Sequence, residues 1–207
     1  QVTADLKDLE SKKFIQSCLC DEKGFIKAEF LLSNENGLEI LVDKSCLSIL
    51  FEELSKFIKF YNLEMEINSR EVLYKFFKKR NSVGHIFSKD MLFCDIEFKE
   101  NVHERLLTEA EFDLNILLMG QFLFSYEDIG KHRPHDVGMN ESHVSFSKGC
   151  FRGQEVIART EHLSKKKKEI IFIKAEDEAN IKSKKIKTLK EVYFEGSAFK
   201  LVSFIPN

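Results

Sequence analysis

Between residues 14 and 30 apolar side chains are dense and are interrupted once, at Asp21-Glu22-Lys23-Gly24. Two antiparallel strands joined by a turn need this spacing, with Gly24 where the backbone takes a positive φ. A second extended run at 38–42 leads into 44–61. There Leu47, Leu50, Phe51, Leu54, Phe57 and Ile58 recur at steps of three and four, the pattern of an amphipathic helix. Leu63, Met65 and Ile67 then alternate with Glu64, Glu66 and Asn68 as in a half-buried strand, and 72–77 is another short apolar run. The order strand, strand, strand, helix, strand predicts an α+β layer.

The middle of the chain repeats this style, with a strand expected over 91–98. A helix is expected over 104–119, burying Leu106, Leu107, Ala110, Leu114, Leu117 and Leu118. Residues 120–140 mix Gly, Pro, His, Asp and Asn and read as a loop able to line a site. A short strand is expected at 144–146. Beyond the basic run 165–168, strand-like pieces at 170–173, 192–194 and 199–204 suggest a small β-rich terminal unit.

The formal charge of −2 and pI near 6.4 give no global attraction to nucleic acid. Five cysteines, an odd number, favour reduced thiols over a disulfide framework. No apolar run approaches the roughly 18 residues of a membrane span. The expectation is a cytoplasmic protein with no membrane partner. The chain opens at Gln1, directly in a patterned segment, so its natural beginning is expected to lie upstream.

Chemistry concentrates at 148–159. Gly149 and Gly153 flank Cys150 and allow a tight turn that holds the thiol at a loop tip. Lys148, Arg152 and Arg159 lie close in sequence, and a cation near the thiol would raise its thiolate fraction. Residue types leave two readings open: an exposed working thiol, or one more buried small hydrophobe. Gln154 and Glu155 are equally readable as solvated side chains or as a pair fixing the loop or a ligand. His132, His135, His143 and Cys150 fit no closed zinc site, and the polar loop is expected to hold solvated histidines, so no metal is assigned. Cys18 and Cys20 share a strand face and are expected to be buried thiols. A thiol hydrolase would pair Cys150 with His143 or His162, but no spacing fixes that geometry. The lysines of 165–168 are read as a solvated turn, with an RNA-contacting module as a minor alternative.

The stretch Lys148-Gly149-Cys150-Phe151-Arg152-Gly153-Gln154-Glu155 resembles the K-G-C-[FY]-x-G-Q-E signature of the YgfZ family, continued by Val156-Ile157-Ala158-Arg159. The 133–140 segment resembles the family's proline-acidic stretch. Gln1-Val2-Thr3-Ala4-Asp5 is similar to its Q-V-T-x-D motif, and Asp21-Glu22-Lys23-Gly24 to its glycine turn. The family is related to the aminomethyltransferase (T-protein) of glycine cleavage. The resemblance covers 1–160 and weakens over 161–207. It implies two α+β, ferredoxin-like halves of a T-protein-like ring over 1–160 and a short C-terminal β domain over 161–207, around a folate-binding channel. It further implies that Cys150 is the functional thiol, with Lys148, Gly149, Gln154, Glu155 and Arg159 as binding residues. The implied cofactor is tetrahydrofolate or a derivative. The implied partners are iron–sulfur enzymes or assembly proteins, with tRNA involved only indirectly.

Two positions depart from the wider pattern. The acidic pair that T-proteins carry after the glycine turn is replaced by Lys27-Ala28, so aminomethyl transfer is the alternative and not the expectation. Glu29, one step later, would face the other side of a strand. The Glu that contacts the pteridine in relatives falls at Leu118. Phe112 aligns with an aromatic that stacks on folate in some relatives, and reads equally well as a core residue.

Overall fold

A computed structural model describes residues 2–35, 37–68, 72–77, 87–89, 92–98, 106–164, 167–183 and 185–206. The expected hairpin is present: β1 (Phe14–Cys20) and β2 (Ile26–Ser33) pair antiparallel, and β3 (Glu39–Val42) adds to β2. The turn is built as the sequence requires. Gly24 takes φ +78°, and the Asp21 carboxylate accepts the Lys23 and Phe25 N–H groups at 2.9 and 2.8 Å. Every residue of β1 is buried, so this strand is covered on both faces, while β2 leaves Lys27 and Glu29 half-buried.

Helix α1 (Leu47–Tyr61) packs on β2 and ends where Asn62 turns left-handed. The alternation at Leu63, Met65 and Ile67 does not become a strand. Residues 63–68 take no regular structure, Leu63 is 61% exposed, and among the described residues they pair with no strand. Alternation specifies a strand only where a neighbour and a core are available to it.

A second antiparallel sheet joins β4 (Val72–Phe77), β5 (Phe87–Lys89) and β6 (Leu92–Phe98) in the order β4-β6-β5. The three-residue β5 was too short to be legible. Helix α2 (Glu109–Leu118) starts later than its apolar pattern suggests, because Thr108 and Glu111 form a reciprocal capping box. Leu106 and Leu107 therefore lie outside the helix and are exposed, and Leu118 is 41% exposed; of the residues expected to be buried here, Leu117 is. Residues 104–105 lie outside the described residues.

The 120–140 segment departs most from expectation. It is a packed strap with short 3-10 turns at Tyr126–Asp128 and Pro134–Asp136, and it inserts Phe122, Phe124, Val137 and Met139 into the same core as β1 and β2. Residues 144–146 form no strand: Val144 is buried, and the Ser145 N–H donates to the Thr3 carbonyl at 2.9 Å. Helix α3 (Gln154–Leu163) follows, unforeseen from sequence. The third sheet, β7 (Glu169–Lys174), β8 (Ile186–Phe194) and β9 (Ser197–Phe204), has the order β7-β9-β8. Glu195 and Gly196, both at positive φ, close its β8–β9 hairpin, and α2 packs against β8 and β9. The chain is thus mixed α and β, with three antiparallel sheets among the described residues. Among the described residues no helix is long and apolar enough to cross a membrane.

Candidate functional site

Cys150 is exposed, on a loop pinned at three points. On one side, Lys148 Nζ donates to the Val2 carbonyl at 2.6 Å. On the other, Phe151 is buried, and its N–H and carbonyl exchange hydrogen bonds with Gln154 Oε1 and the Gln154 N–H at 3.3 and 3.2 Å. Between them, Arg152 donates from Nε to Glu22 and from Nη1 to Glu53, both at 2.8 Å, tying the loop to the hairpin turn and to α1.

The α3 N-cap, Gly153, explains why this sequence needs glycine there. Its φ is +79°, and a Cβ would run into the Asp21 carbonyl oxygen and lie 2.8 Å from the Gly24 Cα. Two glycines, one from the hairpin turn and one from the helix start, thus let two backbones touch. Ile157, fully buried, packs over Gly24 from the next turn of α3.

Gly149 and Cys150 are exposed, Lys148 and Gln154 are half-buried, and Glu155 and Arg159 are exposed on α3. Two of the neighbouring cations are otherwise engaged. Lys148 holds a carbonyl, its burial lowering its pKa, and Arg152 is shared by two carboxylates that, with its hydrogen bond to Glu22 foremost, raise its own. Phe112 is not part of this loop. It lines a cavity of about 50 Å³ that no residue of 148–159 lines.

That cavity has aromatic walls and a polar floor. Phe112 meets Tyr74 edge-on at 5.2 Å, and Phe122 lines another side. The floor is Gln16, Glu29 and His143. The β1–β2 register pairs Gln16 with Leu31 and Cys18 with Glu29, so Gln16 and Glu29 are diagonal neighbours on one sheet face. His143, 1% exposed, stands above them. Its Nε2 lies 3.2 Å from Glu29 Oε1 and 3.3 Å from Gln16 Nε2, and its Nδ1 lies 2.8 Å from Ser142 Oγ. Its carbonyl accepts from Thr3 Oγ1 at 2.6 Å. Sequence reading missed this cluster, because His143 and Glu29 are 114 residues apart. Glu29 lines the cavity, and the β1–β2 register shifts between Leu19 and Cys20, on the turn side of Glu29, while the exposed Leu118 does not line it.

The histidines expected in solvent are packed. His132 is buried edge-on against Phe122 at 5.4 Å, and burial lowers its pKa. His135 Nε2 lies 2.8 Å from Glu161 Oε2. The lysine run is exposed where it is described, as expected, and its two described members also make surface ion pairs: Lys167 with Glu161 at 2.7 Å and Lys168 with Asp136. Lys165 and Lys166, like Gln1, lie outside the described residues. Cys18 and Cys20 are buried as expected. Burial raises both thiols, Cys20 to about 12. Among the described residues no group of three or more His, Cys, Asp or Glu is arranged to hold a metal ion.

No protein-family model matches the chain. It is 26% identical over 191 residues to a protein of Vibrio vulnificus named tRNA-modifying protein YgfZ, covering 78% of this chain and 59% of that protein. A protein of Photobacterium profundum with the same name is 25% identical over 207 residues, covering 85% and 63%. An uncharacterized protein of Haemophilus influenzae is 24% identical over 191 residues, covering 85% and 65%. The chain spans about three-fifths of the length of these relatives. With its Cys150 signature and this similarity along most of its length, the chain is a relative of the YgfZ proteins.

Proposed function

We propose that this protein is a folate-binding accessory factor of the YgfZ type, supporting the assembly or repair of iron–sulfur proteins, with Cys150 as its working thiol. The single observation carrying this reading is the exposure of Cys150 on a loop fixed by Lys148, Arg152 and Gly153. An inert thiol needs no such support, whereas one that meets a partner must be both accessible and held in place. The names of the relatives add a link to tRNA modification. In this reading the link is indirect, through iron–sulfur enzymes that thiolate tRNA. A reduced thiol of this kind belongs in the cytoplasm.

A folate-type ligand fits the chemistry of the Phe112 cavity, which offers aromatic walls and a carboxylate floor. At about 50 Å³ the cavity holds the leading edge of a ring, since a site enclosing a whole small molecule is roughly 300 Å³ or more. The two α+β halves of a ring, closed by a β domain over 161–207, are the architecture this function calls for. One observation favours aminomethyl transfer as a second reading: Glu29 returns a carboxylate to the cavity despite Lys27-Ala28.

The test is complementation in cells lacking their own YgfZ protein, with thiolated nucleosides in bulk tRNA as the readout. Wild-type protein is expected to restore them and Cys150→Ser to fail at equal abundance. Equal restoration by both overturns the role of Cys150.

A further inference from the structure

The geometry points to Glu29 as the anchor of the Phe112 cavity, held by His143 to grip the N–H edge of a flat nitrogen heterocycle of the aminopyrimidine type. This rests on the reading that the cavity takes a ligand. It assigns the polar contact to a residue on β2 instead of to position 118 on α2.

Three observations lead there. First, Glu29 is preorganised. His143 is fixed by its own backbone, its carbonyl accepting from Thr3 Oγ1 at 2.6 Å and its N–H donating to the Met139 carbonyl at 2.9 Å. With Ser142 Oγ on Nδ1, the ring presents Nε2 to Glu29 Oε1 at 3.2 Å. Gln16 Nε2 lies 3.3 Å from the same ring nitrogen and flanks the pair on the cavity floor. Second, Oε1 takes the His143 contact, while among the described residues no hydrogen bond reaches Oε2. An ionised carboxylate only accepts, so an incoming group at Oε2 must donate. Third, the space in front is bounded by aromatic rings. Phe112 and Tyr74 meet at 77° between their planes, and Phe122 adds a further wall. Walls of this kind favour a flat ring through stacking and edge contacts. A planar ring with adjacent N–H groups satisfies all three requirements, whereas a phosphate or carboxylate would set its charge against Glu29.

Leu118 agrees with this from the other side. It is 41% exposed and does not line the cavity, so its apolar character leaves the floor unchanged. The acid lacking at one position is present at another.

Titration calorimetry with two probes tests the assignment: tetrahydrofolate and isocytosine, a bare aminopyrimidinone ring. Both are titrated into wild type, Glu29→Gln and Glu29→Asp, with near-ultraviolet circular dichroism to establish that each variant is folded. Tetrahydrofolate is expected to bind wild type and to lose about tenfold or more in Glu29→Gln, with partial recovery in Glu29→Asp. Tetrahydrofolate binding that is equal in wild type and folded Glu29→Gln overturns the anchor while the folate reading stands. Binding of isocytosine alone, dependent on Glu29, supports the anchor and overturns the folate reading. Binding of neither probe to wild type overturns both. If Glu29→Gln does not fold, Glu29→Asp carries the test, and unchanged affinity in that shortened variant overturns the anchor.

Discussion

Cys18 and Cys20 on β1 and Cys150 on the loop before α3 are the same side chain in opposite settings. The β1 thiols lie in a strand whose every residue is buried, and burial suppresses their ionisation. Cys150 projects from a loop whose neighbours do the anchoring, with Phe151 in the core, Gly153 against the hairpin turn and Arg152 between two carboxylates. The turn that joins Cys20 to β2 is the surface on which the Cys150 loop rests. One hairpin therefore hides two thiols and displays a third.

The largest expected effect is kinetic. With N-ethylmaleimide at pH 8, followed by peptide mapping, Cys150 is expected to react fully while Cys18 and Cys20 stay unmodified until the protein unfolds. At a pKa of about 12, Cys20 is thiolate only to ~10⁻⁴ at that pH, before any steric protection. Labelling of Cys18 at the Cys150 rate in native protein would break the comparison.

Next in size is Gly153→Ala. It forces a side chain into the Asp21 carbonyl at a positive φ, and is expected to cost about 2 kcal/mol or more in urea unfolding. A loss within about 0.5 kcal/mol would show that the loop does not depend on this backbone contact.

A smaller contrast separates the thiols themselves. Cys18→Ser buries a hydroxyl where sulfur now lies 4.0 Å from the Met139 sulfur, and is expected to cost about 1–3 kcal/mol. Cys150→Ser is expected to stay within about 0.5 kcal/mol, as surface substitutions do. The same urea unfolding measures both.

The smallest effect belongs to the outer ties of α3. Hydrogen bonds from Lys167 and then His135 hold the Glu161 carboxyl down at about 2. A depressed carboxyl stabilises the fold above its unfolded value, near 4.5, and that contribution fades as pH falls from there through about 2. Glu161→Gln is therefore expected to melt lower than wild type at pH 7, by less than about 1 kcal/mol, with the gap closing by pH 2. A constant gap across that range would remove the ionic tie from the account.

The hairpin, α1, β4, β6 and the terminal strands were legible because each carries its own periodicity or turn chemistry. Residues 63–68 show the limit of that reading, since their alternation finds no partner strand among the described residues. Residues 120–140 show the reverse: their Gly, Pro and His content suggests a solvated loop, yet four apolar side chains spaced among them fill the core. Helix α3 was hidden behind a glycine-rich start and a strongly polar composition. At the site, exposure of Cys150 could be reasoned from its flanking glycines. The Glu29–His143 pairing could not, because strand register and a loop from the other end of the chain decide it together.

The segment around Thr3 has a consequence for how the molecule assembles. Thr3 Oγ1 bonds to the carbonyl of residue 143, the Val2 carbonyl takes the ammonium of Lys148, and Ser145 donates to the Thr3 carbonyl. These closures span some 140 residues of chain. Contacts of such long sequence separation form late, after local hairpins and helices, because the loop they close is costly in entropy until the rest has docked. During synthesis the segment around Thr3 must wait for residues 143–148 before these bonds can form. The setting of Cys150 is therefore one of the last events in folding, and a ribosome-bound fragment ending before residue 143 leaves Val2 and Thr3 without these partners.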